Sequence, residues 1–153
     1  MSVGSFVVFL LQYSLLAQEY TPAEYFDYEV VDGKVVITDY NREPDQPFTV
    51  SIPPQIDGMD VVAIGDWAFE GFFNLTAVTL PEGVTSIGEG AFEECGSLAA
   101  VNFPASLTSI GVDAFADTGL TEVQITAGIT SIGEKAFSGC ANLASITVSA
   151  DNP

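Results

Sequence analysis

The stretch that decides the fold is IGEGAF at residues 87–92, because its pattern occurs three more times in the chain. The other copies are IGDWAF at 64–69, IGVDAF at 110–115 and IGEKAF at 132–137, and successive copies are 23, 23 and 22 residues apart. A fixed period of this length is typical of solenoid proteins, in which each repeat forms one coil and stacks on the next. The period therefore predicts a stack of similar coils.

Two other blocks keep the same period. A Leu-x-x-Val-x-Leu pattern begins at Leu75, Leu98, Leu120 and Leu143, with conservative changes between copies. We expect it to form a strand whose first, fourth and sixth side chains point inward, so that stacked coils make a parallel sheet with strands about 4.8 Å apart. A shorter block, of which Val84–Ile87 is the first full copy, predicts a second short strand on another side of each coil.

The hexapeptide itself predicts a turn and a short helix. Gly88 allows the turn, and Glu89 begins a brief helix because the helix dipole favours an acid at that end. Ala91 is small enough for close stacking, and Phe92 fills the core. The acids that share this helix-start position are Asp66, Glu89 and Glu134.

These residues resemble the BspA-like leucine-rich repeat family, the leucine-rich repeat 5 type of surface protein. The shared pattern is Ile-Gly-Glu-x-Ala-Phe, a Cys three residues after the Phe, then Leu-x-x-Val-x-Phe-Pro and Leu-Thr-Ser-Ile, and it covers roughly residues 53 to 151. The resemblance implies an α/β repeat solenoid, a right-handed coil with a parallel β-sheet, short helices and an N-terminal hairpin cap. It also implies a secreted or surface-attached binding protein, with adhesion to host or matrix proteins described for some members.

The first 17 residues differ from the rest, because they contain no Asp, Glu, Lys or Arg. An apolar run that ends at Leu16, followed by Ala17, is typical of a secretion signal cleaved after Ala17. An apolar first strand or helix of the fold is the alternative interpretation. We favour the secretion signal, and with it a secreted or cell-surface location.

The remaining chain divides into three further segments. Residues 18–52 form an N-terminal cap with a β-hairpin around Asp32-Gly33, a dipeptide typical of tight hairpin turns. Residues 53–150 hold four repeats of 22–23 residues. Residues 151–153 resemble the start of a linker, so we expect the chain to be a fragment or a truncated reading frame.

Charge excludes several classes of function. The 153 residues include 21 Asp or Glu, three Lys or Arg and no His, a formal net charge of -18. This charge repels phosphate backbones and anionic lipids, so we expect no nucleic-acid partner and no membrane insertion of the mature chain. Without His there is no Ser-His-Asp or Cys-His nucleophile and no His-ligated zinc. We therefore expect no enzyme activity and assign no cofactor, catalytic residue or metal ligand.

Carboxylates alone could support two kinds of site. Glycoside hydrolysis needs two acids facing each other across a cleft about 5–9 Å wide, which the adjacent Glu93 and Glu94 do not indicate. Residues 39–45 alternate oxygen-bearing side chains as a calcium loop does, but Pro44 and Val50 stand where that loop needs Gly and Glu. Neither site is assigned.

The two cysteines occupy the same slot two repeats apart, at Cys95 and Cys140. Two stacking steps of about 4.8 Å place their Cα atoms about 10 Å apart, beyond the roughly 7 Å that a disulfide tolerates. We expect two free, buried thiols.

The outward positions of the long strands predict the partner-binding face. Each of the four repeats contributes three outward positions, and only one of these twelve, Glu122, is charged. On this acidic chain a protein partner could therefore approach the face without desolvating other carboxylates. A plain solvated sheet surface is the alternative interpretation. The candidate residues are Thr76, Thr79, Asn102, Thr121, Glu122, Gln124, Ser145 and Thr147.

Two aromatic residues are candidate anchors for a partner. Trp67 occupies a slot that holds Gly90, Asp113 and Lys135 in the other repeats, so we expect it to be exposed. Phe73 likewise replaces small residues. Packing of the pair under the N-terminal cap is the alternative to an anchor role.

Two functions are consistent with these patterns. The first is an exported or cell-surface, non-catalytic module for adhesion or protein–protein interaction, whose partner is a host or matrix protein or a neighbouring cell surface. The second is an architectural spacer within a longer surface protein whose binding domains lie elsewhere.

Overall fold

The structure is a computed structural model that describes residues 19–41 and 48–153. These residues form one turn of 3-10 helix, Ala23–Tyr25, and β-strands in a repeating order. The strands are β1 Phe26–Val31, β2 Lys34–Tyr40, β3 Phe48–Ser51, β4 Gln55–Ile56, β5 Met59–Ile64, β6 Leu75–Thr79, β7 Ser86–Ile87, β8 Ala100–Asn102, β9 Ser109–Ile110, β10 Glu122–Ile125, β11 Ser131–Ile132 and β12 Ser145–Val148.

The short strands form one continuous side of the solenoid. Their sheet has the order β1-β2-β5-β7-β9-β11, with β4 paired to β5 beside this path. From β5 onward the pairing is parallel and keeps the isoleucines Ile64, Ile87, Ile110 and Ile132 in register. The second short strand predicted for each repeat is therefore confirmed, and it is the element that runs through every coil.

The long strands form a second side, which is interrupted. Their ladders are β3-β6-β8 and β10-β12, both parallel, and no ladder joins β8 to β10. The interruption coincides with the single residue missing between Phe115 and Leu120, which shortens that repeat from 23 to 22 residues. The predicted parallel sheet is thus confirmed, but as two pieces.

The predicted short helices are wrong, and with them the α/β class. The fourth residue of each hexapeptide adopts the left-handed conformation, with φ of 55° at Trp67, 56° at Gly90, 51° at Asp113 and 56° at Lys135. A left-handed residue cannot continue a right-handed helix. The fold is a β-solenoid in which this third side consists of turns.

On the turn side, backbone hydrogen bonds join adjacent coils instead of forming a helix. The N–H groups of Trp67, Phe69 and Gly71 each donate at 2.8 Å to carbonyls of the next coil, those of residues 89, 91 and 93. The same pattern recurs one coil later, where Gly90 and Phe92 donate to residues 112 and 114. These bonds give every second amide of the turn a partner, as buried backbone groups require. The turn side therefore holds adjacent coils together as a strand ladder does.

A column of aromatic rings fills the core. Phe69 and Phe92 stack with ring centroids 4.9 Å apart, Phe92 and Phe115 are 5.1 Å apart, and Phe115 and Phe137 are 5.6 Å apart. Tyr40 of β2 extends the column by stacking on Phe69 at 5.2 Å. Each such pair contributes about 0.5–1.5 kcal/mol beyond its buried area. The core role predicted for the repeat phenylalanine is confirmed.

The N-terminal hairpin is also confirmed. Strands β1 and β2 pair antiparallel around Asp32 and Gly33, whose φ values are 51° and 73°. Strand β2 then pairs in parallel with β5, so the hairpin covers the first coil and removes its open edge. A second hairpin that the sequence reading missed joins β4 to β5 through Asp57 and Gly58, again with positive φ.

The opposite end of the stack is open. In the last coil the inward positions Ile132, Ile146 and Val148 are 45%, 51% and 61% exposed, although the equivalent Ile87 and Ile110 are buried. The side-chain amide of Asn152 donates to two carbonyls at this end, those of residues 126 and 129, at 2.8 and 2.7 Å. The inward orientation predicted for the long strands thus produces burial only where another coil lies on top.

A column of glycines sets how closely the coils approach. A Cβ at Gly111 would lie 2.5 Å from the carbonyl carbon and oxygen of Gly88, and one at Gly88 would lie 2.7 Å from the carbonyl carbon of Gly65. Neither backbone can move away without lengthening the hydrogen bonds on either side. Glycine is therefore required at this position by the distance between coils.

We predict that Gly111→Ala lowers the free energy of unfolding by about 3 kcal/mol, because overpacking against backbone costs roughly 1–3 kcal/mol or more. Gly96→Ala is the matched control, since a Cβ there meets nothing within 4 Å. It should change stability by less than about 0.5 kcal/mol. Urea unfolding followed by Trp67 fluorescence measures both. Equal effects of the two substitutions would contradict the close approach of the coils.

Candidate functional site

The structure places seven of the eight predicted face residues on the strands of the two long-strand ladders, and Thr121 directly precedes β10. Cross-strand register brings Glu122 opposite Ser145 and Gln124 opposite Thr147. Seven of the eight are exposed, and Thr76 is half-buried. The interruption between β8 and β10 divides them into two groups. The first group is Thr76, Thr79 and Asn102, and the second is Thr121, Glu122, Gln124, Ser145 and Thr147.

Two of these side chains already serve the stacking of coils. The Thr76 hydroxyl donates to the carbonyl of Phe48 at 3.1 Å. The Asn102 amide group donates to the Leu80 carbonyl at 2.9 Å and accepts from the Leu80 N–H at 2.7 Å, so this side chain supplements the β6–β8 ladder. Their polar groups are therefore less available to a partner than sequence alone indicates.

Another four side chains keep their polar groups for solvent or for a partner. Within the described part of the chain, no hydrogen bond involves the side chains of Thr79, Glu122, Gln124 or Ser145. Thr121 and Thr147 are intermediate, because each hydroxyl reaches a carbonyl of the preceding coil only at 3.5 Å. The available polar groups thus concentrate on β10 and β12.

Two grooves border this face. The first, which we call the break groove, has a volume of about 270 Å³ and lies where β8 and β10 separate. It is lined by Val101, Glu122, Val123, Gln124, Ser145 and Thr147. The second, which we call the proline groove, has a volume of about 390 Å³. It is lined by Tyr20, Ile52, Pro54, Thr79, Leu80, Pro81, Glu82 and Asn102.

The grooves include residues that sequence reasoning missed, notably Tyr20, Glu82 and Val101. The signal that could have found the break groove is the shortened repeat, since a missing residue must disturb one of the ladders. Tyr20 carried no such signal, because it lies outside the repeats and reaches the face only through the pairing of the cap. Its neighbour Thr21 donates its N–H to the Ser51 carbonyl at 2.8 Å.

The two aromatic candidates are exposed but lie on the turn side. Trp67 is 48% exposed and Phe73 is 60% exposed, which agrees with the predicted exposure and not with packing under the cap. One part of the indole covers Gly90 of the next coil, where an added Cβ would lie 2.5 Å from Cδ1 of Trp67. The tryptophan therefore partly serves coil stacking, and its role as an anchor stays a prediction.

The acids of the repeat position are not helix-start charges, because no helix exists there. Instead, the carboxylate of Asp66 accepts the N–H of Glu89 in the next coil at 2.8 Å, which joins two coils. Among the described residues, no group of three or more Cys, Asp or Glu side chains is arranged to hold a metal ion. Half of the calcium-like segment, Glu43 and Asp45, lies outside the described residues, and Asp39 accepts the Tyr40 N–H.

The surroundings of Glu93 disfavour its charged form. Partial burial raises the pKa of its carboxyl, and the negative charges of Asp113, Glu70, Glu94 and Asp117 raise it further. Since the folded state then binds a proton more readily than the unfolded state, the free energy of unfolding falls as pH rises through the folded-state pKa. The charged form of Glu93 therefore destabilises the coil stack at neutral pH.

We predict that Glu93→Gln raises the free energy of unfolding at pH 7. The gain should shrink as pH falls and vanish below the usual pKa of Glu, about 4.3, where the wild-type side chain is also neutral in both states. Glu29→Gln, on the exposed hairpin, removes the same charge and is the control. Urea unfolding at pH 7 and pH 3.5 measures this difference. A gain equally large in the control would assign the effect to net charge alone.

Both cysteines are free, as predicted from their spacing. The Cys95 thiol is buried and donates to the Phe69 carbonyl at 3.0 Å, while Cys140 donates to the Phe115 carbonyl at 3.1 Å. Thr118 holds this slot in the intervening coil, and its hydroxyl also donates to the Phe115 carbonyl. Three of the four repeats thus place a small donor in this slot, whereas the first has Phe72. Cys140 is half-buried rather than buried, because no coil covers the last repeat.

We predict that Cys95 resists alkylation in the folded protein at pH 8, because burial raises the pKa of its thiol to about 12. Cys140 should be alkylated first, since it is more exposed. Both should react within minutes in 8 M urea. Mass spectrometry after a timed iodoacetamide pulse distinguishes the two sites, and equal labelling of Cys95 and Cys140 in the native state would contradict the predicted protection.

Within the described residues, no helix is long and apolar enough to cross a membrane. None of the curated proteins compared with this sequence matches it. A leucine-rich repeat protein from Bacteroides capillosus is 27% identical, with a TM-score of 0.73 over 86% of this chain and 99% of that one. The leucine-rich repeat protein of T. pallidum is 32% identical, with a TM-score of 0.65 over 84% of this chain and 71% of that one.

A third solved structure, a leucine-rich repeat protein from Bacteroides ovatus, is 30% identical, with a TM-score of 0.59 over 85% of this chain and 41% of that one. The family model described as the BspA type leucine rich repeat region matches residues 58–152 in six copies. This match covers more than half of the chain and contains all four copies of the hexapeptide, and it counts six repeats where the sequence pattern predicts four. The chain therefore belongs to the BspA type leucine-rich repeat family.

Proposed function

We propose that the chain is an exported or cell-surface, non-catalytic module that binds a protein partner through the long-strand face. The family supports this in general terms, because leucine-rich repeats serve protein–protein interaction. The single observation that carries the proposal is the charge distribution. A chain of net charge -18 presents a strand face on which Glu122 is the one charged residue of twelve outward positions.

The energetics of desolvation favour this face over the others. A partner that covers carboxylates must remove their hydration, which costs far more than covering small hydroxyl, amide and methyl groups. The turn side carries Glu70, Glu93, Glu94, Asp113 and Asp117, and burial together with the repulsion of the other four already raises the pKa of Glu93. Apart from Glu122, the strand face avoids both costs.

Rigidity supports the same assignment. The face is built on strands whose backbones are hydrogen-bonded to neighbouring coils on one or both sides, so binding orders little backbone. A pre-organised surface retains more of its contact energy as affinity. Adhesion to a host or matrix protein, or to a neighbouring cell surface, is the biological setting we propose, and residues 1–17, the proposed secretion signal, lie outside the described residues.

An architectural spacer is the alternative, and one observation favours it. The exposed apolar side chains of Ile132, Ile146 and Val148 form a surface that another coil of the same kind would cover. A spacer needs stacking at this end and no specific chemistry on the strand face. Binding measurements on the strand face separate the two functions.

We predict that Ser145→Arg weakens binding of the chain to its best ligand in a panel of purified matrix glycoproteins by about tenfold, because an added long side chain blocks the centre of a contact. Ser138→Arg is the matched control, since Ser138 is also exposed but lies on the turn side of the same repeat. Biolayer interferometry gives both dissociation constants, and circular dichroism checks folding. Equal weakening by both variants, or a wild-type chain that binds no panel member, would favour the spacer.

A further inference from the structure

The interruption of the strand face creates a recess with a definite chemistry. Where the long-strand face is unbroken, short backbone hydrogen bonds join adjacent coils at the start of the long strands. Ala99 donates its N–H to the Thr76 carbonyl at 3.0 Å, and Ala144 donates its N–H to the Thr121 carbonyl at 2.9 Å. Across the break, the corresponding bond from Thr121 to Ala99 lengthens to 3.4 Å, and no ladder follows it. The break groove opens at this separation.

The size of the break groove suits a side chain. Its volume of about 270 Å³ is below the roughly 300–1,000 Å³ typical of pockets for small-molecule ligands and cofactors. Val101, which is half-buried, provides the accessible apolar part, whereas Val123 is buried in the core. Glu122, Gln124, Ser145 and Thr147 provide oxygen atoms. A half-buried valine beside several oxygen acceptors matches a long side chain that ends in a cation.

The groove also contains an unbalanced charge. Glu122 is the one charged residue among those that line it, and no ion pair of the described residues involves Glu122. The chain has three cations: Lys34 pairs with Asp60 at 2.6 Å, Lys135 lies on the turn side, and Arg42 lies outside the described residues. Neither lysine of the described residues supplies a cation to Glu122, which leaves its carboxylate open to a cation from another molecule.

We infer that the long-strand face binds a basic, extended segment of its protein partner, with an arginine side chain seated in the break groove. This inference rests on the proposed function and names the class of partner. The arginine stem would lie along Val101, and its guanidinium would donate to the Glu122 carboxylate and the Gln124 side-chain oxygen. Arginine fits better than lysine, because its planar fork can donate to two acceptors at once.

The proline groove provides a second seat of the same kind. It combines the carboxylate of Glu82, the ring of Tyr20 and the apolar surface of Pro81. A cation between a carboxylate and an aromatic ring gains both an ion pair and a cation–π contact. From β6 to β12 the long-strand face crosses two ladders and the break between them, at least three strand spacings or roughly 14 Å, which about four extended residues span. We therefore expect two arginines at positions i and i+4 of one segment to reach one groove each.

The net charge of -18 aids such a partner before contact. Attraction between an acidic protein and a basic segment raises the association rate at low salt and rejects acidic competitors. General attraction does not by itself select the strand face, so the decisive measurement must separate Glu122 from the other acids.

The test uses the full chain and an acetylated, amidated heptapeptide with two arginines separated by three small residues. Calorimetry in 150 mM salt compares wild type, Glu122→Gln and Glu89→Gln, which removes an equal charge from the exposed turn side. We expect Glu122→Gln to weaken binding about fivefold, the upper range for an exposed ion pair, and Glu89→Gln to change it less than twofold. Replacing both arginines by citrulline, which is neutral, should abolish binding.

Three outcomes would overturn the arginine seat: equal weakening by the two variants, unchanged binding of the citrulline peptide, or no binding of the arginine peptide to the wild type. The wider proposal is tested separately by the Ser145→Arg experiment. A matrix ligand that is lost in Ser145→Arg but binds Glu122→Gln normally would keep the interaction role and reject the basic partner. Loss of the same ligand in both variants supports the two proposals together.

Discussion

Direct contact between the backbones of adjacent coils is the constraint on which the rest of this structure depends. At the glycine column the backbones are so close that a single methyl group would overlap the preceding carbonyl, as at Gly111 over Gly88. This distance lets the turn amides reach the next coil at 2.8 Å and lets the phenylalanine rings stack at 4.9–5.6 Å. The hydrogen bonds and the aromatic column both require the same spacing.

The spacing also determines where sequence variation is free. Inside the solenoid and along the turns, each residue contacts its own equivalent in the next coil, so size and backbone conformation are restricted. On the long-strand face the side chains point into solvent, but strands about 4.8 Å apart still bring equivalent charges close together. Small, uncharged residues avoid this repulsion, and the same property makes the face suitable for a partner. Stacking stability and recognition therefore favour the same composition.

Much of the fold could be predicted because repetition shows the same position four times. The inward columns, the two strands per repeat, the free cysteines and the Asp32-Gly33 hairpin follow from period and turn chemistry. The turn conformation could not be predicted, because only Gly90 indicates a positive φ at this position of the repeat. The other three repeats have Trp67, Asp113 and Lys135 there, which do not indicate it. Their backbone is retained by hydrogen bonds to the next coil, and such tertiary bonds override the intrinsic preference against positive φ.

The sequence by itself determined the repeat period, the side of each strand that faces the core, the near absence of charge on the outer strand face and the family. These depend on residue type and spacing, which are local. Only the tertiary structure decided that the 22-residue repeat opens the sheet between β8 and β10, while the short-strand sheet stays continuous. It also decided that Thr76 and Asn102 are used in stacking while Glu122 and Gln124 line a groove. A missing residue can be absorbed on any side of a coil, and packing against both neighbouring coils selects the side.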